Sequence, residues 1–157
     1  MNIKQLNNEF SLEINDNNLH FVEGKGGIPF IEIHNGHASA LISLQGAHIL
    51  SWIPKDEEDV IWLSKDATFS PGKSVRGGVP ICWPWFGAHE TNSAFPAHGF
   101  ARISNWEVLT TEALTDGNTR ISFNTKPNTE NVEMWPDDTT VQYQVTVGKI
   151  LELELIT

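Results

Sequence analysis

Apolar and polar residues alternate with a period of two along most of this chain, and helical periodicity is hard to find. Phe10-Ser-Leu-Glu-Ile14 alternates cleanly and predicts a first strand. Leu19–Glu23 and Pro29–His34 follow, parted by the turn signal Gly24-Lys-Gly-Gly27. Ala38–Leu44 and Ile49–Ile53 flank Gln45-Gly-Ala-His48, which predicts a hairpin turning at Gly46. Val60–Leu63 reads as a short strand after the acidic turn Lys55–Asp59. Later, Trp106–Glu112 and Arg120–Thr125 are joined by the turn Asp116-Gly-Asn118. Val141–Val147 turns at Gly148-Lys149 into Ile150–Ile156. About ten strands without a long helix predict an all-β protein, an antiparallel β-sandwich.

The rhythm fails between Ser64 and Ser104. Glycines 77, 78, 87 and 99 and prolines 80, 84 and 96 exclude a regular helix there and break any central strand. A loop this long inside a compact domain is usually functional. Lys126–Asp138 is a second, polar interruption broken by two prolines, and its 128–138 part reads as a surface loop rather than a linker. No internal repeat or domain boundary is visible, and 157 residues make one domain with room for a real core.

Charge sharpens the picture of the long loop. The whole chain carries a formal net charge of −10, which disfavours nucleic acid and anionic membrane surfaces as partners. From Lys73 to Arg102 the sign inverts, with Lys73, Arg76 and Arg102 against the single acid Glu90. No run of about 20 apolar residues predicts a membrane span. The N-terminus lacks the pattern of a signal peptide. The single cysteine, Cys82, cannot form an internal disulfide, which fits a cytoplasmic location and reads as a small buried hydrophobe.

Arg76, set before two glycines, can approach a phosphate or carboxylate as a bidentate donor, and Arg102 is the natural second arm of a clamp. His98 stands between Ala97 and Gly99, whose small side chains leave its imidazole open for hydrogen bonding or proton transfer. A structural role, bonding a loop carbonyl, suits it equally on spacing alone. His89 reads as exposed loop, and His20, His34, His37 and His48 as structural or surface residues. Trp83, Trp85 and Phe86 could line a sugar-stacking wall, although aromatics in β-proteins are more often core. No pair of residues has the spacing of a zinc site, and no phosphate loop or nucleophile elbow occurs.

These loop segments, Arg76-Gly-Gly-Val-Pro-Ile-Cys-Trp-Pro-Trp-Phe-Gly87 and Pro96-Ala-His-Gly-Phe-Ala-Arg102, resemble the hexose-6-phosphate mutarotases (glucose-6-phosphate 1-epimerases) of the aldose 1-epimerase, galactose mutarotase-like superfamily. Ile42–Trp52 and Val60–Ser64 resemble further segments of that family. The resemblance implies a supersandwich fold of roughly double this length, of which the chain is the N-terminal portion. It implies that Arg76 and Arg102 bind the phosphate side of a hexose phosphate and that His98 binds the sugar, without a cofactor or metal. Relatives often carry glutamine where Ala97 stands, so that substrate contact is missing here. The resemblance places the general-acid histidine and general-base glutamate beyond Thr157, so the chain alone is expected to be inactive or very weak. The alternative of another class is a non-catalytic carbohydrate-binding sandwich, and a third reading is a structural β-domain whose loop aromatics pack its core. The strand Leu151–Ile156 at the end of the chain is expected to be an exposed edge, completed by a further segment, a second copy or another polypeptide.

Overall fold

A computed structural model describes residues 1–127, 131–135 and 139–157. The described residues form two antiparallel sheets packed face to face, as the alternation predicts. The first sheet is a meander of β1 (Leu12–Ile14), β2 (Asn17–Glu23), β3 (Pro29–His34), β4 (Ala38–Ser43) and β5 (His48–Pro54), neighbouring in that order. The second consists of β6 (Glu107–Ala113), β7 (Thr119–Thr125), β8 (Val141–Val147) and β9 (Leu151–Ile156), again in chain order.

Register explains the core. Phe21 pairs with Ile31 and Leu19 with Ile33, while Ile31 and Ile33 pair with Ile42 and Ala40 of β4. One face of the first sheet is therefore uniformly apolar. It packs with Ile121, Phe123, Tyr143 and Val145 of the second sheet and with Trp106, whose indole nitrogen donates to Ala101 O at 2.9 Å. The opposite face of the first sheet carries Phe30 and Leu50. They are covered by Leu63 and by Phe69 and Val75 from the long loop, so part of that loop is core.

Three expectations change. The first strand does not begin at Phe10: Ile3–Phe10 is a helix, α1, and β1 starts at Leu12. Asn2 caps it by accepting from Gln5 N, and the Gln5 side chain returns the bond to Asn2 N, a reciprocal box that satisfies two free amides. Asn7 then fastens the helix to β2, where β1 no longer pairs. Its amide accepts from Phe21 N at 2.8 Å and donates to Phe21 O at 2.7 Å, standing in for a neighbouring strand. Val60–Leu63 does not form a strand. Asp59 organises it instead, accepting from Trp52 N and Ile61 N, and only Leu63 makes an isolated bridge, with Gly77. Of the 128–138 loop, 128–130 and 136–138 lie outside the described residues. The part between them is not wholly surface, because Asn131 is buried and the Trp135 ring lies 5.2 Å from that of Trp83.

β9 pairs with β8 alone among the described residues. Leu151, Leu153 and Leu155 stand opposite Val147, Val145 and Tyr143, on the core-facing side, yet Leu153 and Leu155 remain exposed.

Candidate functional site

The long loop is held by backbone pairing rather than by regular structure. Arg76–Gly78 runs beside Trp62–Ser64: Gly78 N donates to Trp62 O at 2.8 Å and Ser64 N to Arg76 O at 3.1 Å. A Cβ on Gly77 would meet Trp62 O at 2.7 Å, and φ is +99° there, so this close approach requires glycine. The pairing leaves the Arg76 side chain exposed, and Trp62 beside it is 65% exposed.

The second arm is built on the segment from Trp83 to Arg102. Trp83 and Gly99 form a parallel bridge, and Ala101 N donates to Trp83 O at 3.2 Å. Gly99 has φ +71°, and its missing side chain is where the Trp83 carbonyl lies. The peptide bond from Trp83 to Pro84 is cis. These contacts deliver Ala97 and His98 to a fixed place. His98 N donates to Gly87 O at 2.7 Å, and Gly87 N donates back to His98 Nδ1 at 3.0 Å. Because Nδ1 accepts, the neutral ring carries its proton on Nε2, leaving an N–H that can donate. His98 has φ +66°, a left-handed backbone that the reciprocal bonds to Gly87 hold in place.

Arg102 stands in the 3-10 turn Ala101–Ile103. Its Nη2 donates to Ala97 O at 2.7 Å, while its Nε is buried without a hydrogen-bond partner among the described residues. The backbone of Ala97 thus orients the arginine whatever its side chain. One peptide unit, Ala97–His98, positions the guanidinium through its carbonyl and the imidazole through its own ring contacts.

The aromatics divide. Trp83 is core, packed edge-on against Phe100 with ring centroids 5.4 Å apart. Trp85 joins His89 and Phe95 in a cluster of its own and donates to Pro96 O at 3.2 Å. His89, expected as exposed loop, is in the loop but half-buried against Trp85 and Phe95, and its Nδ1 accepts from Thr91 N and Asn92 N. Phe86 alone of the predicted wall faces solvent, 81% exposed, with its ring 4.7 Å from that of His98. Cys82 is a free thiol and half-buried, since the irregular loop does not enclose it as a strand in the core would.

Sequence reasoning left His48 among the structural histidines, and the structure gives it a closer tie to the site. It is 2% exposed, and its Nε2 lies 2.8 Å from Gly77 O, directly after Arg76. Its pKa falls below the ordinary 6.5, first because burial penalises the charged ring and further because of the Arg102 charge, against the opposing pull of the Gly77 carbonyl. The buried imidazole therefore touches the backbone next to Arg76 and feels the charge of Arg102.

The clefts at His37, Lys55 and Lys149 and at Phe10, Leu44 and Trp106 are not lined by Arg76, His98 or Arg102. Of the candidate residues, Arg76 and Phe86 are exposed, and His98 and Arg102 are half-buried. Among the described residues no three histidine, cysteine or carboxylate side chains converge as a metal ion would require, and no helix is long and apolar enough to cross a membrane.

The aldose 1-epimerase family model matches residues 29–157, which takes in the whole loop, β3 to β5 of the first sheet and all of the second. The chain belongs to the aldose 1-epimerase family. A protein of Escherichia coli strain K12 named "Putative glucose-6-phosphate 1-epimerase" is 40% identical over 128 residues, covering 82% of this chain and 43% of that protein. A protein of the same name from Cenchrus ciliaris is 32% identical over 120 residues, 74% of this chain and 36% of that one. The crystal structure of a "putative mutarotase" from Salmonella typhimurium superposes with a TM-score of 0.79 at 34% identity, over 98% of this chain and 51% of that one. A galactose mutarotase-like protein from Lactobacillus casei shares the fold, with a TM-score of 0.60 at 22% identity over 80% of this chain and 42% of that one. The chain spans about half the length of the relatives it matches.

Proposed function

We propose that this chain is the substrate-holding portion of a hexose-6-phosphate mutarotase. Arg76 and Arg102 take the phosphate as charged donors, and the Nε2–H of His98 donates to a hydroxyl or the ring oxygen of the sugar. Phe86 offers an apolar face to the sugar's C–H groups. The observation that carries the reading is the Ala97–His98 unit, whose carbonyl grips Arg102 while the imidazole beside it is locked in its Nε2–H form by Gly87.

Mutarotation requires a base to remove the C1 hydroxyl proton and an acid to protonate the ring oxygen as the C1–O5 bond breaks. Reclosure of the free aldehyde on its other face gives the opposite anomer. On this reading residues outside the 157 supply that acid–base pair, each contributing about 10²–10⁴ in rate, and the chain binds without turning substrate over. Calorimetric titration with glucose-6-phosphate and with glucose tests it. The phosphorylated sugar is expected to bind more tightly, and Arg76→Ala to remove about tenfold or more of its affinity, the range expected for one charge-assisted hydrogen bond. Equal affinity for the two sugars at low salt, or indifference to Arg76→Ala, refutes the clamp. Anomer exchange above the buffer rate by the isolated chain refutes the division of labour.

A further inference from the structure

The turn between β4 and β5, with His48 at the start of β5, touches the backbone beside Arg76 and at Arg102. Gln45 is 4% exposed and spans the loop that precedes Arg76: its Nε2 donates to Lys73 O at 2.9 Å, and its Oε1 accepts from Gly72 N at 2.8 Å. Gly46 N donates to Ser104 O at 2.8 Å, and a Cβ on Gly46 would lie 2.6 Å from Arg102 O, so the Arg102 backbone rests on this glycine. His48 completes the set on the Arg76 side. Its Nε2 reaches Gly77 O, a Cβ on Gly78 would collide with that same nitrogen, and Ile49 O accepts from Val79 N at 2.9 Å. The stretch Gln45–His48 thus touches the backbone of both arms.

The Gly77 carbonyl can only accept, so His48 must present a proton on Nε2. Without this donor the part-buried carbonyl loses its partner, and it belongs to the Gly77–Gly78 peptide, the unit that follows the one joining Arg76 to Gly77. The charge of Arg102 acts on the same imidazole. The Gly78 N–H of that same peptide donates to Trp62 O, so His48 is the second of two props, one on each side of the peptide unit.

We propose that His48 is a positioning residue of the anion site: its Nε2–H holds the Gly77 carbonyl, and so sets where the Arg76 arm stands relative to Arg102. The proposal rests on the clamp reading above and adds to it a residue that does not touch substrate.

The test uses the 157-residue chain with glucose-6-phosphate, inorganic phosphate and glucose as probes, in the wild type, His48→Gln, His48→Met and Arg76→Ala. Glutamine keeps an N–H donor at about the reach of Nε2, whereas methionine fills similar space without one. His48→Met is expected to weaken glucose-6-phosphate and phosphate binding about tenfold, the cost of an orphaned part-buried acceptor passed to the site, with glucose affinity unchanged. His48→Gln is expected to stay within about threefold of wild type, a rescue that simple loss of packing would not show. Equal losses in both variants, or losses that extend to glucose, overturn the proposal, as does wild-type affinity in His48→Met. Should Arg76→Ala bind both phosphate probes like the wild type, the clamp falls and this inference with it. A clamp that responds to Arg76→Ala but not to His48→Met refutes the inference alone. If His48→Met does not fold, the imidazole nitrogen resonances of His48 in the wild type are followed as phosphate is added. A shift supports the coupling, and unchanged resonances overturn it.

Discussion

Replacing Gly99 with alanine separates two effects that a positive φ usually mixes. Gly87 and Gly99 have similar backbones, at φ +79° and +71°. A left-handed residue with a Cβ costs about 1–2 kcal/mol, so each alanine pays at least that. Their surroundings differ. Nothing lies within 4 Å of a Cβ on Gly87, whereas one on Gly99 would fall onto the Trp83 carbonyl and the Pro84 nitrogen, which are backbone atoms that cannot rotate away. The bridge must open, and with it the bond from Ala101 N to Trp83 O, about 0.5–1.5 kcal/mol more. Gly99→Ala should therefore cost about 3 kcal/mol and Gly87→Ala about 1 kcal/mol. In a chain of this size that is a drop in thermal midpoint of about 6–12 °C against about 2–4 °C. Thermal unfolding followed by circular dichroism measures both, provided unfolding is reversible. Equal midpoints for the two variants would show that the Trp83–Gly99 contact does not hold the His98 segment, and the site geometry derived from it would fail.

Three further outcomes follow from the same structure. His48 has a lowered pKa in the fold, so the unfolded chain takes up its proton first as pH falls. Its contribution to stability is complete above the ordinary 6.5 and is lost as pH drops below that toward the lowered folded value. Urea unfolding should show the stability gap between wild type and His48→Gln narrowing from pH 7.5 to pH 5, and a gap that widens contradicts it. Tyr143, the single tyrosine, is buried and its pKa is raised above the ordinary 10.0, so its ionisation stabilises the unfolded state as pH rises past that value. Tyrosinate absorbance should appear together with loss of the fold, and its appearance near pH 10 in a folded chain would refute the burial. Asn7→Ala removes both bonds to Phe21 and should cost about 1–3 kcal/mol in urea unfolding; a cost below about 0.5 kcal/mol would show that α1 is not fastened this way.

The strands were legible because alternation is a local record of which face is buried. β3 and β8 match their predicted bounds, and β2, β4, β5, β7 and β9 match within two residues at either end. Helix α1 was hidden because Leu6 is its single buried residue and its attachment is a tertiary bond from Asn7. The signal available was Asn2 followed at the third position by Gln5, a capping box in front of a weakly periodic run. Val60–Leu63 carries strand-like residues, but Asp59 accepts from the amides on either side and fixes a loop instead. At the site, composition and the resemblance singled out Arg76, His98 and Arg102, while the geometry adds what spacing could not reveal. His48 is one histidine in an apolar strand, and nothing in its immediate sequence says that Gly77, 29 residues on, rests upon it. Ala97 was a departure at the level of side chains, yet its carbonyl is the atom that orients Arg102.

The most direct test of the clamp is where glucose-6-phosphate lands. Backbone and side-chain amide resonances of the isotope-labelled chain, followed as the sugar phosphate is added, should move at Arg76–Gly78, Gly87, His98–Gly99 and Arg102, with the arginine Nε–H of Arg102 among them. The same titration with glucose should move His98 and leave the arginine signals nearly still. Shifts confined to other surfaces, such as the cleft at His37 and Lys149, or no shifts at millimolar sugar phosphate, would contradict the assignment of the long loop as the substrate-holding site.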